Sequence, residues 1–346
     1  MRALALAAAL LATPAEAAWK TIDLPNGEVT LRAVAVVDGQ RFHVSGSKGA
    51  HAVTEDGGKT WRMAAPPEDA ALDFRGVAAP DARSAILMSA GDGPAGHARL
   101  YRTADAGQTW TLAYETRLTG SFLDAVAFRD GRRGFVLGDP IDGRWFLLKT
   151  ADAGKTWTRI DGPSVEPGEA AFAASNSALF LGPGREVWIV SGGLPKGRIA
   201  HSRDDGESWM IVEAPLAGSA TAGLFGGLAL GKDRAVVVGG DYKDELRAGE
   251  SIALAEALDV WTPPHEGTPR LLEGVGRLDA KTLIAVGPRG TSVSTDDGQS
   301  WRQADTEAFH AIACRAGTCI AAGGKGRVGV WVKPTSSPPA KREGRG

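Results

Sequence analysis

Cysteine is nearly absent: the 346 residues hold two, Cys314 and Cys319. Two thiols do not make a metal centre, and neither a metal nor a cofactor is expected. Tyrosine occurs three times and histidine six times, scattered so that no Ser-His-Asp or Cys-His pattern emerges. Net charge is also lacking. Thirty-nine Lys and Arg against 41 Asp and Glu leave −2, which calls for neither nucleic acid nor a membrane surface. Beyond the first residues no apolar run is long enough to span a bilayer.

The one sustained apolar run, Ala3 to Ala12, follows Arg2 and precedes Ala15-Glu16-Ala17. This is the pattern of an export signal with an A-x-A cleavage site. No cysteine stands nearby to carry a lipid anchor. The expectation is a signal at 1–17, one domain at 18–333 that is exported to the periplasm or secreted as a monomer, and a disordered tail at 334–346. That tail is mostly Pro, Ser, Lys, Arg and Gly, without apolar periodicity.

What is abundant is glycine, 46 residues, with 19 prolines, a composition of many turns and short strands. A motif of the form [S/T]-x-D-x-G-x-[S/T]-W recurs five times, with its aspartates at Asp56, Asp105, Asp152, Asp204 and Asp296. The closing tryptophans, Trp61, Trp110, Trp157, Trp209 and Trp301, fall 49, 47, 52 and 92 residues apart, the last gap spanning two periods. A period of that length marks an array of supersecondary units. Between the motifs, short apolar strands end in glycine seven times, at Gly46, Gly91, Gly138, Gly192, Gly239, Gly287 and Gly323.

Each unit reads as three strands, the Asp turn and a fourth strand. The array is therefore an all-β, seven-bladed β-propeller of four-stranded antiparallel blades. The last unit lacks a fourth strand, and the opening AWKTIDLP matches WTRIDGP after the third motif. Trp19 to Leu24 should thus close the ring. Blade 5 has lost its motif, with the segment around Trp261 in its place.

The repeated aspartates are expected to be structural. An Asp opening a tight turn accepts backbone N–H groups, the following Gly supplies positive φ, and the Trp packs between blades. In AIACRAGTCIAA a two-residue turn at Ala316-Gly317 sets Cys314 opposite Cys319. A disulfide and two free thiols both fit that register, and an exported chain favours the disulfide.

The motif resembles the Asp-box, or bacterial neuraminidase repeat. Phrases such as VLGDPIDGRWFLLKTADAGKTW and VVGGDY are most similar to exported propellers of the photosystem II assembly and stability factor group. That resemblance implies a non-enzymatic scaffold, chaperone-like in role, binding a protein partner such as a subunit of a membrane complex. Other Asp-box proteins are sialidases and glycoside hydrolases, so a glycan-active enzyme or lectin using the central channel is the alternative. The sialidase Arg-Ile-Pro segment is missing, Arg198-Ile199-Ala200 being nearest. A glycosidase needs two carboxylates, and the candidates are Asp139 and Asp241, with Tyr242 as the tyrosine able to reach the channel.

Basic residues recur in the turns after the glycine-ended strands: Lys48, Arg99, Arg144, Arg198, Arg247, Arg289, and Lys325 with Arg327. On the face opposite the Asp turns they would form a cationic rim for acidic peptide segments. They would equally serve to solubilise hairpin tips.

Overall fold

Short apolar strands separated by glycine-rich turns assemble into seven four-stranded antiparallel sheets arranged as a ring. The computed structural model describes residues 18–25, 27–66, 71–247, 249–264 and 270–332. The expected signal and tail lie outside the described residues. Blades 1 to 6 occupy 31–63, 73–116, 123–164, 179–217, 222–262 and 274–305. In blade 1, for example, Leu31–Val36 is innermost, followed outward by Phe42–Gly46, His51–Thr54 and Arg62–Met63.

Blade 7 is built from both ends of the domain. Ala311–Arg315, Thr318–Ala322 and Arg327–Val332 are completed by Ala18–Asp23, paired from Ala18↔Val332 to Asp23↔Arg327. The closure leaves no open seam in the ring. The buried Trp19 donates its indole N–H to Thr291 Oγ1 of blade 6 at 2.8 Å and packs on Phe309 and Trp331.

Neighbouring blades cover both faces of the middle strands, which is why these read as continuous apolar runs such as AILMSA, buried at every position. The outermost strands are the more exposed ones, as in Thr111–Thr116 and Arg62–Met63.

The five Asp turns share one geometry. Thr54 Oγ1 donates to Asp56 Oδ1 and accepts the Gly58 N–H. Asp56 in turn accepts the Thr60 N–H at 2.9 Å and its hydroxyl at 2.6 Å. The Thr60 hydroxyl and N–H hold that carboxyl at about 2. Asp105, Asp152, Asp204 and Asp296 accept the equivalent pair of bonds. The two residues after each Asp have positive φ, as at Ala153 (65°) and Gly154 (74°). A Cβ at Gly154 would stand 2.5 Å from Ile86 Cδ1 of blade 2, so the turn can approach the preceding blade only without a side chain.

The tryptophans fill the seams between blades: Trp157 packs with Ile86 and Met88 of blade 2, and Trp110 donates to Ala64 O. In blade 5, Trp261 keeps its indole bond, to Leu258 O, without the Asp. Cys314 and Cys319 are disulfide-bonded across a hairpin whose turn, Ala316-Gly317, has positive φ at both residues.

Candidate functional site

The axis is not an open channel. The segment 170–178, which leads into the innermost strand of blade 4, crosses it. Asn176 accepts the Val126 N–H at 2.8 Å and donates to Val77 O and Val126 O, tying the inner strands of blades 2 and 3. Ser175 donates to Glu273 O on the side of blade 6. Gly76 and Gly226 leave the necessary space, since a Cβ would meet Asn176 Oδ1 at 2.9 Å or Ser177 Oγ at 2.0 Å.

The same segment floors a cup of about 450 Å³ at the mouth of the axis. Its walls come from the starts of the innermost strands and the ends of the second strands, which places it on the face opposite the Asp turns. Phe172 from the crossing segment stacks on Phe225 (4.3 Å between ring centres) and meets the edge of Tyr242 (5.8 Å). Tyr242 is 44% exposed, so one aromatic ring of the cup is open to solvent. Blades 1, 2, 3 and 5 contribute lining, with Glu273 and His310 from the entries to blades 6 and 7.

The charges in the cup differ in how far they are satisfied. Arg75 donates to Asp73 at 2.8 Å and lies over Phe122. Glu273 pairs with His310 at 2.6 Å. Arg32 makes no hydrogen bond or ion pair with any described residue; burial, and then the Arg75 charge, disfavour its protonated form, and the Glu273 and Asp73 charges offset part of that. Asp124 is fully buried with Oδ2 unpartnered, and burial pushes its carboxyl well above the usual range, with the Asp139 charge adding to the effect. Burial pushes Asp139 up to about 6.

Of the residues singled out in the sequence, the cup therefore gathers Asp139 and Tyr242. Asp241 does not line it: its carboxylate accepts from Thr221 Oγ1, the Lys243 N–H and Arg247. The carboxylate that accompanies Asp139 is Asp124. Sequence reasoning passed over it because LDAVAF reads as an apolar strand; a register irregularity between Leu123 and Ala125 leaves Asp124 without a paired partner.

Seven of the eight basic turn residues, all but Lys325, have a partner among the described residues. Lys48 pairs with Glu28, Arg99 with Glu115, Arg198 with the buried Glu169, Arg247 with Asp241, Arg289 with Glu245 and Arg327 with Glu307. Arg144 donates to Gly162 O at 2.9 Å. Pairing of this kind lowers the field such a rim can project. A larger hollow of about 610 Å³ on blade 4 includes Arg198 and Lys196, each already paired, with Glu169 and Glu213.

No family model matches the chain, and no curated protein matches it. Solved structures do. YCF48 bound to D1 peptide is 16% identical with a TM-score of 0.66, covering 95% of this chain and 100% of that one. Virginiamycin B lyase from Staphylococcus aureus is 13% identical with a TM-score of 0.69, covering 92% and 100%. The GH74 xyloglucanase from Xanthomonas campestris is 16% identical with a TM-score of 0.64; the match covers 93% of this chain and 55% of that one, so this chain spans about half its length.

What they share with this chain is the propeller fold. At such identities the likeness does not extend to residues of the site. Among the described residues no helix is long and apolar enough to cross a membrane.

Proposed function

We propose that the protein is an exported, non-enzymatic scaffold that binds a polypeptide segment in the cup at the mouth of the axis. The observation that carries this reading is Arg32: a guanidinium held in an aromatic-lined hollow with no partner of its own. Arg32 is part-buried, and Glu273 and Asp73 offset only part of what desolvation costs its charge. A carboxylate supplies the pair, and the planar fork of arginine takes it in bidentate fashion. Tyr242, Phe172 and Phe225 offer the apolar contact that a peptide side chain needs. The ligand class is thus a peptide presenting an acidic side chain or a free C-terminus. A propeller that holds a peptide, YCF48 with its D1 peptide, has the same fold. The disulfide suits an oxidising compartment.

An array of peptides from the host's envelope proteins, probed with residues 18–346 and with the Arg32→Gln variant, tests the reading. Acidic or free-carboxylate peptides bound by the parent and released by the variant support it. Equal binding by both proteins rejects Arg32 as the recognition group. Reversing the rim instead is a poorer test, because Arg198→Glu sets a second carboxylate against the buried Glu169.

A second reading rests on Asp124 and Asp139. Both aspartates line one cup and both have carboxyls pushed up by burial, and a glycosidase draws its general acid and its partner from two such carboxyls. Turnover of a fluorogenic glycoside panel, lost in Asp139→Asn, would favour a glycan-active enzyme. No turnover by the parent leaves the scaffold reading in place.

A further inference from the structure

On the opposite face, three residues far apart in sequence converge across the seam between blades 4 and 5. Glu186 precedes the second strand of blade 4, His201 lies on the third, and Asp233 tips the first hairpin of blade 5. One ligand atom from each lies within 4.8 Å of the others. His201 is 2% exposed, and neither of its ring nitrogens has a hydrogen-bond partner. Its Nε2 points toward Glu186 Oε2 at 3.9 Å, beyond hydrogen-bonding distance, while Trp188 lies against the face of the ring.

A buried imidazole with both nitrogens idle is an unsatisfied polar group that calls for a partner. The carboxylates beside it are already oriented. Glu186 accepts the Asp233 N–H at 3.1 Å and the Trp188 indole N–H at 3.4 Å. A Cβ at Gly182 would stand 2.2 Å from Glu186 Oε2, so the glycine keeps that oxygen free of crowding.

We infer that Glu186, His201 and Asp233 bind a divalent transition metal of the zinc class, which joins blades 4 and 5. One imidazole nitrogen and two carboxylate oxygens are a donor set that zinc accepts, with a fourth position open to water. Tetrahedral zinc with bonds of about 2.0–2.2 Å spaces its ligand atoms about 3.3–3.6 Å apart. The 3.9 Å between His201 and Glu186 needs to shrink by only a fraction of an ångström. Hard cations such as Mg²⁺ prefer all-oxygen shells and are disfavoured by the imidazole. One cation opposes binding: Arg203 donates to Asp233 Oδ1 at 2.7 Å. Its side chain is half exposed and can turn outward, and Oδ2 is not engaged by it.

The test is equilibrium dialysis of tag-free residues 18–346 against low-micromolar ZnCl₂, with bound metal counted by mass spectrometry. The expected result is one zinc per chain. Asp233→Asn should weaken binding at least tenfold while folding normally, since asparagine tolerates the positive φ of 57° at this turn. His201→Gln should weaken it likewise, and Arg203→Gln should strengthen it several-fold by removing the competing charge. The melting temperature of the parent should rise with zinc, and that of Asp233→Asn should not. Absence of stoichiometric zinc in the parent, or equal binding by Asp233→Asn, overturns the proposal. So does binding of Mg²⁺ in preference to Zn²⁺.

Discussion

Asp124 and Asp139 flank a single register pair of blade 3, Leu123↔Gly138, and both carboxyls enter the same cup. The Asp139 N–H donates to Phe122 O at 2.9 Å, fixing the strand end that carries it. Two acids buried this closely titrate as a coupled pair, the first ionisation making the second harder. Both carboxyls thus keep their protons to higher pH than a free aspartate does.

This pair has a signed effect on stability. The folded carboxyl of Asp139 sits at about 6, against 3.8 for the free group. Between those values the folded chain binds more protons than the unfolded one, so the group's contribution to stability is present below about pH 4 and declines as pH rises through about 6. The loss is bounded at about 3 kcal/mol by a two-unit shift. Thermal melts from pH 4 to 7 should show Asp139→Asn gaining on the parent as pH rises. A constant difference across that range would contradict the assignment.

Ring closure depends on Trp19. Trp19→Ala removes a buried indole, its bond to Thr291 and its contacts with Phe309 and Trp331. The expected cost is about 3–5 kcal/mol, read by urea denaturation with tryptophan fluorescence. A cost below about 1 kcal/mol would mean that the closing strand contributes little beyond what an ordinary surface strand does.

Asn176 is the knot of the axial segment. Asn176→Ala leaves the Val126 N–H without its acceptor and should cost about 1–3 kcal/mol. It should also loosen the floor of the cup, so hydrogen exchange at 170–178 should accelerate more than exchange at the Asp turns. Uniform acceleration throughout the ring would assign Asn176 a global role instead.

The architecture was legible because its signals are local and repeated. Each Asp turn carries its acceptor, its positive-φ positions and its tryptophan within eight residues, and the match between AWKTIDLP and WTRIDGP revealed the closing strand. The cysteine register followed from one two-residue turn. The site was legible only in part, because it is assembled from single residues of many blades. Arg32 and Asp124 sit in apolar inner strands and read as exceptions to a core pattern. The crossing segment AFAASNSA has no periodicity to announce that it spans the axis. The basic turns were visible by position, but the carboxylates that compensate them lie far along the chain, as Glu245 does from Arg289 and Asp23 from Arg327. Glu186, His201 and Asp233 share no spacing at all, which is why the sequence suggested no metal ligands.

The most direct test of the account is site-specific photo-crosslinking in the host. Tyr242, the exposed ring at the edge of the cup, is replaced by benzoylphenylalanine, with Leu112 on the outer edge of blade 2 as the control position. Irradiation should yield a discrete polypeptide adduct from position 242 and none from 112, and adding Arg32→Gln should abolish it. No adduct at 242, or the same adduct with Arg32→Gln, would contradict the claim that the cup holds a peptide through Arg32.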